Sequence, residues 1–143
     1  MIIMNQQLKL FDYIDDNGFN VMQAWADGMP MQKRDRGRLD SKIDLLAIAG
    51  CLPPGLVHPT KCRHIMHLVV RGEVTFCPMF CRGPFNNYHN ECTFLLGATE
   101  RDRKYSPTNA DREAEKKRAD LSVNPTKRCN HERFTKLTQE VIP

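Results

Sequence analysis

Apolar positions change period along the chain, and each change marks an element. From Leu8 to Ile14 they alternate imperfectly among strand formers, and Asp15-Asp16-Asn17-Gly18 supplies a turn, which predicts a first strand. Asn20 is placed to cap a short helix through Val21–Ala26, which Gly28 and Pro30 close. A second helix is predicted from Gln32 to Ala49. Leu39, Ile43, Leu46 and Ala47 share one face, while Lys33, Arg34, Arg36, Arg38 and Lys42 occupy the other. Gly50 gives the stop, and Leu52-Pro53-Pro54-Gly55 forces a loop because proline lacks the amide donor.

The middle of the chain reads as β-structure. His64–Val70 and Val74–Phe80 are apolar, β-branched or aromatic runs joined by Arg71-Gly72-Glu73, an antiparallel hairpin with Gly72 expected at positive φ. Pro78 points to an edge or a bulge. Residues 82–90 read as a polar surface loop and Thr93–Thr99 as another strand. Thr108-Asn109-Ala110-Asp111 has capping-box spacing ahead of a charged helix over Asp111–Leu121, which Asn124-Pro125 ends. The pattern is α+β: an N-terminal strand, a helical hairpin, then a mainly antiparallel sheet with a C-terminal helix, the helices packed on one side. Residues 1–121 form the expected domain. Residues 122–143 read as an extension with a short helix pattern over Glu132–Val141 and too few apolar residues for a core of its own.

Composition narrows the class without naming it. A chain of 143 residues with 41% hydrophobic and 27% charged residues suits one globular domain. The start lacks a basic stretch followed by an apolar run, and no later stretch approaches a membrane span, so a cytoplasmic protein is expected. The six cysteines then read as free thiols. Cys77-x-x-x-Cys81 with His89 and Cys92 lacks a second metal knuckle, so neither metal nor other cofactor is expected. The net charge of +4 says little, but its distribution says more. Residues 1–32 carry one Lys against four Asp, and residues 33–71 carry eight basic against three acidic residues.

Three strings, in order, resemble the RelE/ParE toxin superfamily, in its phage-derived RelE/HigB-like branch. They are Ala24-Trp25-Ala26-Asp27-Gly28-Met29-Pro30, Ile43-Asp44-Leu45-Leu46-Ala47 through Leu52-Pro53-Pro54, and Phe94-Leu95-Leu96-Gly97-Ala98 with the charged residues, Tyr105 and Pro107 that follow. The resemblance spans roughly Leu8 to Asp120. It implies a microbial-RNase-like sheet and the toxin half of a type II toxin–antitoxin pair. Such a protein is a metal-independent endoribonuclease that cuts mRNA on the ribosome, with a cognate antitoxin as partner. A gyrase-directed toxin of the ParE kind and a catalytically degenerate binding protein are the alternatives.

Phosphodiester cleavage without metal needs a base, a cation on the phosphate and a proton donor. Where the family commonly carries Leu-Arg and Arg-Pro on the hairpin, this chain has Leu68-Val69 and Cys77-Pro78, and neither replacement offers a guanidinium fork. The remaining catalytic candidates are His64, His67, Arg71, Arg82, Lys104 and Tyr105. For RNA contact they are Lys33, Arg34, Arg38, Lys42, Lys61, Arg101 and Arg103. His67, between apolar neighbours, also reads as a satisfied core histidine, and Arg101-Asp102-Arg103-Lys104 as a solvated connector.

Overall fold

The computed structural model describes residues 8–29, 31–49, 55–72, 74–83 and 90–135. Pro30, Gly50, the Leu52-Pro53-Pro54 loop, Glu73, residues 84–89 with His89, and the helix pattern beyond residue 135 lie outside them. The elements run β1 (Lys9–Tyr13), α1 (Val21–Gly28), α2 (Lys33–Ala49), β2 (Val57–Pro59), β3 (Met66–Leu68), β4 (Thr75–Arg82), β5 (Glu91–Arg101), β6 (Lys104–Ser106), α3 (Ala110–Val123) and β7 (Arg128–Asn130). This is the expected α+β class, with three helices and a seven-stranded, mostly antiparallel sheet.

The sheet order is β2-β3-β4-β5-β1-β7, with β6 also on β5. The long β5 takes β1 in parallel along Glu91–Phe94 and β6 antiparallel along Thr99–Arg101. Pro78 lies in central β4, not at an edge, and the predicted irregularity follows it as a register shift between Met79 and Phe80. Lacking an amide hydrogen, Pro78 cannot extend the β3–β4 ladder, which covers Met66 and His67 and resumes as an isolated Val70–Phe76 bridge.

Strand alternation sends side chains into two cores. Phe76, Phe80 and Phe94 face α1 and α2, where they meet Met22, Leu39, Ile43 and Leu46. Cys77, Met79 and Cys81 face the other way, packing with Ile65, Ala98 and the α3 residues Ala114 and Leu121. The helices therefore do not share one side of the sheet: α3 covers the face opposite α1 and α2. Burial of each large apolar side chain contributes about 1.5–3 kcal/mol, so both layers are needed.

Several terminal signals resolve differently from their sequence reading. Asn20 caps α1 as predicted, its Oδ1 accepting from Met22 N at 2.9 Å and Gln23 N at 3.1 Å. No capping box forms at α3. Asn109 is left-handed with φ 61° and makes no side-chain cap, while Asp111 Oδ1 accepts from Arg112 N at 3.0 Å. Gly72 is not at positive φ. It is small for another reason: a Cβ there would stand 3.1 Å from Asp35 Oδ1 and 3.4 Å from Arg38 Nη1, so the turn lies tight against α2.

Residues 128–135 are built into the fold. β7 pairs with β1, and Phe134 is 1% exposed among the α1–α2 core residues, edge-on to Trp25. Two buried carboxylates fasten this strap. Asp12 accepts from Asn20 Nδ2 at 2.9 Å and Glu132 N at 3.0 Å, and pairs with His131 Nδ1 at 2.8 Å. Asp40 accepts from Phe134 N at 2.8 Å, Thr135 N at 3.0 Å and the Thr135 hydroxyl. Few apolar residues suffice here because Phe134 joins a core that already exists. Among the described residues no helix is long and apolar enough to cross a membrane.

Candidate functional site

Two concavities flank the short edge strand β2. The first is a groove of about 790 Å³ between α2 and β2–β3, lined by Arg34, Gly37, Arg38, Ser41, Lys42 and Leu45 of α2, and by Gly55, His58, Val69, Val70 and Arg71. Helical spacing explains its wall: positions 34, 38 and 42 are four apart and so lie on one stripe. Arg38 Nη1 donates to Arg71 O at 3.3 Å and ties the hairpin turn to the helix. None of Arg34, Arg38, Lys42 and Arg71 makes an ion pair among the described residues. The groove is therefore a concentrated positive surface. Lys33 is exposed at the start of α2, outside the groove lining. Arg36, from the same basic run, turns inward, donating to Ala26 O at 3.0 Å and Phe134 O at 3.3 Å.

The second is a cavity of about 490 Å³ on the α3 side, lined by Pro59, Thr60, Lys61, Glu100, Arg103, Lys104, Tyr105, Thr108, Asn109, Asp111 and Arg112. Its floor comes from the β5–β6 hairpin. Arg101 pairs with Lys104, and Asp102 and Arg103 both take positive φ, 52° and 65°, the geometry of a two-residue hairpin turn. The run Arg101–Lys104 is therefore a tight reversal that presents Arg103 and Lys104 to the cavity, while Arg101 is exposed beside it.

An aromatic ladder runs between them. His58 and His67, directly paired across β2 and β3, stack with ring centroids 5.6 Å apart, and Tyr105 meets His67 edge-on at 5.7 Å. His67 is 4% exposed, and its Nδ1 lies 3.0 Å from Leu68 O. A carbonyl can only accept, so Nδ1 carries the proton. Burial holds the ring below the ordinary histidine range, leaving it neutral with Nε2 unprotonated. The Tyr105 phenol is pushed up to about 12, chiefly by burial and then by its neighbours Cys77, Glu100 and Asp111. It keeps its proton at neutral pH and so has one to donate.

The six catalytic candidates do not converge on one point. Lys104 and Tyr105 line the cavity, His67 lies buried against the Tyr105 ring, and Arg71 faces the groove. His64 is exposed in the turn before β3. Arg82 ends β4, seven residues and about 23 Å of strand beyond Thr75. Of the RNA-contact candidates, Arg34, Arg38 and Lys42 line the groove, and Lys61 and Arg103 line the cavity. Val69 lines the groove, and Cys77 is wholly buried with Sγ 3.9 Å from Glu100 Oε1. Its thiol is pushed up to about 12, first by burial and then by Glu100.

Sequence reading missed His58, Glu100 and Arg112. A three-residue strand after a proline loop leaves almost no periodicity, so only the alternation Val57-His58-Pro59 hinted at the first of them. Among the described residues no cluster of three His, Cys, Asp or Glu could hold a metal ion, and Cys62, Cys77, Cys81, Cys92 and Cys129 are free thiols. No protein-family model matches the chain, and no curated protein or solved structure matches it.

Proposed function

We propose that this chain is a toxin of the RelE/ParE type that grips ribosome-bound mRNA in the groove between α2 and β2–β3 and is restrained by a cognate antitoxin. The supporting observation is the groove itself, in which Arg34, Arg38 and Lys42 face Arg71 with no carboxylate among the described residues paired to any of them. Phosphate-backbone binding draws on this kind of unpaired, sequence-independent charge. The order of the three toxin-like strings and the α+β class agree with the reading.

Cleavage falls to the neighbouring cavity. Attack of a ribose 2′-hydroxyl on phosphorus passes its proton to the Glu100 carboxylate on the cavity wall and expels the 5′-oxygen, which takes the proton of Tyr105; Lys104 and Lys61 neutralise the charge that builds on the phosphate, and exchange with water returns Glu100 and Tyr105 to their starting states. His67, too buried to touch RNA, positions the Tyr105 ring. A reading in which the protein arrests translation by binding alone is favoured by Val69 and Cys77, which supply no cation where the resembled toxins carry arginine.

Expression in bacteria with and without Tyr105→Phe, with growth followed and RNA ends mapped, tests the proposal. Growth arrest with new RNA ends that vanish in Tyr105→Phe supports the nuclease. Arrest without new ends supports binding alone. Undisturbed growth together with absent RNA binding in vitro overturns both.

A further inference from the structure

Outside the groove, the protein pairs many of its charges: Arg118 with Glu115 at 2.6 Å, Arg128 with Glu91 at 2.8 Å and Arg133 with Asp44 at 2.8 Å, among others. Other lysines and arginines also stand without an ion pair among the described residues, but in the α3-side cavity four of them share one lining. Lys61, Arg103, Lys104 and Arg112 all line it, and none makes an ion pair among the described residues. Two carboxylates line it too, Glu100 and Asp111, so four cations against two anions leave a surplus of two positive charges. The carboxylates are already engaged: Glu100 Oε1 faces Cys77 Sγ, and Asp111 Oδ1 accepts from Arg112 N.

The charge surplus selects among anions. A phosphodiester carries one negative charge, whereas a phosphate monoester carries about −1.5 to −2 at neutral pH, which matches the cavity. Two further features suit the same group. The α3 amino end opens into the cavity without a side-chain cap, which adds partial positive charge. Tyr105 lines the cavity and, still protonated, has a hydroxyl able to donate to a phosphate oxygen. The volume of about 490 Å³ admits a mononucleotide as well as a bare phosphate.

We infer that this cavity is a phosphate-monoester site that takes the terminal phosphate of a nucleotide or RNA strand, held by Lys61, Arg103, Lys104 and Arg112. Where the ligand is an RNA end, the inference rests on the groove reading above. β2 is the shared wall, with His58 lining the groove and Pro59 the cavity, so a strand in the groove can place its end here. A free mononucleotide needs no groove.

Calorimetric titration of the full chain tests this with inorganic phosphate, 5′-AMP and 3′-AMP, adenosine, and a trinucleotide carrying a 5′-phosphate, a 3′-phosphate or only hydroxyl ends. The expected result is that at least one monophosphate nucleotide binds about tenfold or more tightly than adenosine, the equivalent of one charge-assisted hydrogen bond. Lys61→Gln and Arg112→Gln, each checked for folding by circular dichroism, should erase the preference. A long hydroxyl-ended RNA should bind Arg112→Gln as it binds the parent chain. A phosphorylated trinucleotide preferred over the hydroxyl form identifies RNA ends as a source; preference confined to AMP identifies free nucleotides. Equal affinity for AMP and adenosine, or a preference that survives both substitutions, overturns the site. Loss of long-RNA binding in the parent chain, with AMP binding intact, overturns the groove and leaves the cavity standing.

Discussion

The indole of Trp25 lies flat against the backbone of Gly97: a Cβ built on that glycine would fall 1.9 Å from Trp25 Cδ2 and 2.2 Å from Cε3. This contact seats α1 on the centre of β5, and Trp25 in turn meets Phe76 and Phe134 edge-on. Gly97→Ala should destabilise the fold by about 1–3 kcal/mol through overpacking, measured as a lower urea midpoint at unchanged slope. Replacing Trp25 by Leu in the same chain should recover part of the loss, because it removes the ring the new methyl strikes. An unchanged midpoint in Gly97→Ala would contradict the packing.

The strap over residues 128–135 depends on Asp40. Its carboxylate is 3% exposed and takes the amides of Phe134 and Thr135. Asp40→Ala leaves those donors without an acceptor, at a cost of about 3 kcal/mol. Hydrogen exchange should speed up at Phe134 and Thr135 before the rest of the chain, and trypsin should cut sooner after Arg133. Uniform exchange across the chain would argue against a fastened strap.

His67 gives stability a sign with pH. Burial lowers its folded pKa below the unfolded value near 6.5, so the unfolded chain binds the proton more readily. Its contribution is present in full above pH 6.5 and is lost as pH falls through the folded value. Urea midpoints should drop between pH 7.5 and about pH 5, and His67→Phe should flatten that part of the profile. A profile unaltered by the substitution would mean that the ring titrates freely.

Local chemistry carried much of this fold into the sequence. Asn20, the Leu39-Ile43-Leu46 face and the alternation around Phe76 and Phe80 each act within a few residues, and each element formed where its pattern stood. What the pattern did not carry was partnership at long range. Nothing in Lys9–Tyr13 says that it runs parallel to Glu91–Phe94, or that Arg128–Asn130 closes its other side. The placement of α3 on the second face follows from Cys77, Met79 and Cys81 being apolar enough to bury, a feature the continuous run over β4 contains without announcing a partner.

The candidate site divides in the same way. The α2 stripe was legible because helical spacing is local, and Lys104 with Tyr105 because they sit beside the last long strand. The separation of Arg82 from Arg71 was hidden, since both flank the same strand and only its length sets them apart. The turn at Asp102 and Arg103 was hidden as well: only Asp102 is a residue type that tolerates positive φ, and Arg103 gives no such signal.

The RNA binding proposed for the α2 groove, whose cations make no ion pair among the described residues, is read by fluorescence anisotropy with a labelled single-stranded RNA titrated between about 50 and 200 mM salt. With four phosphate contacts at about 0.7 each, log K should fall against log salt with a slope near −3. The triple variant Arg34→Glu, Arg38→Glu, Lys42→Glu should reduce the slope to about −1 or abolish binding, with its fold intact by circular dichroism. Equal affinity and equal slope in parent and variant would contradict the account.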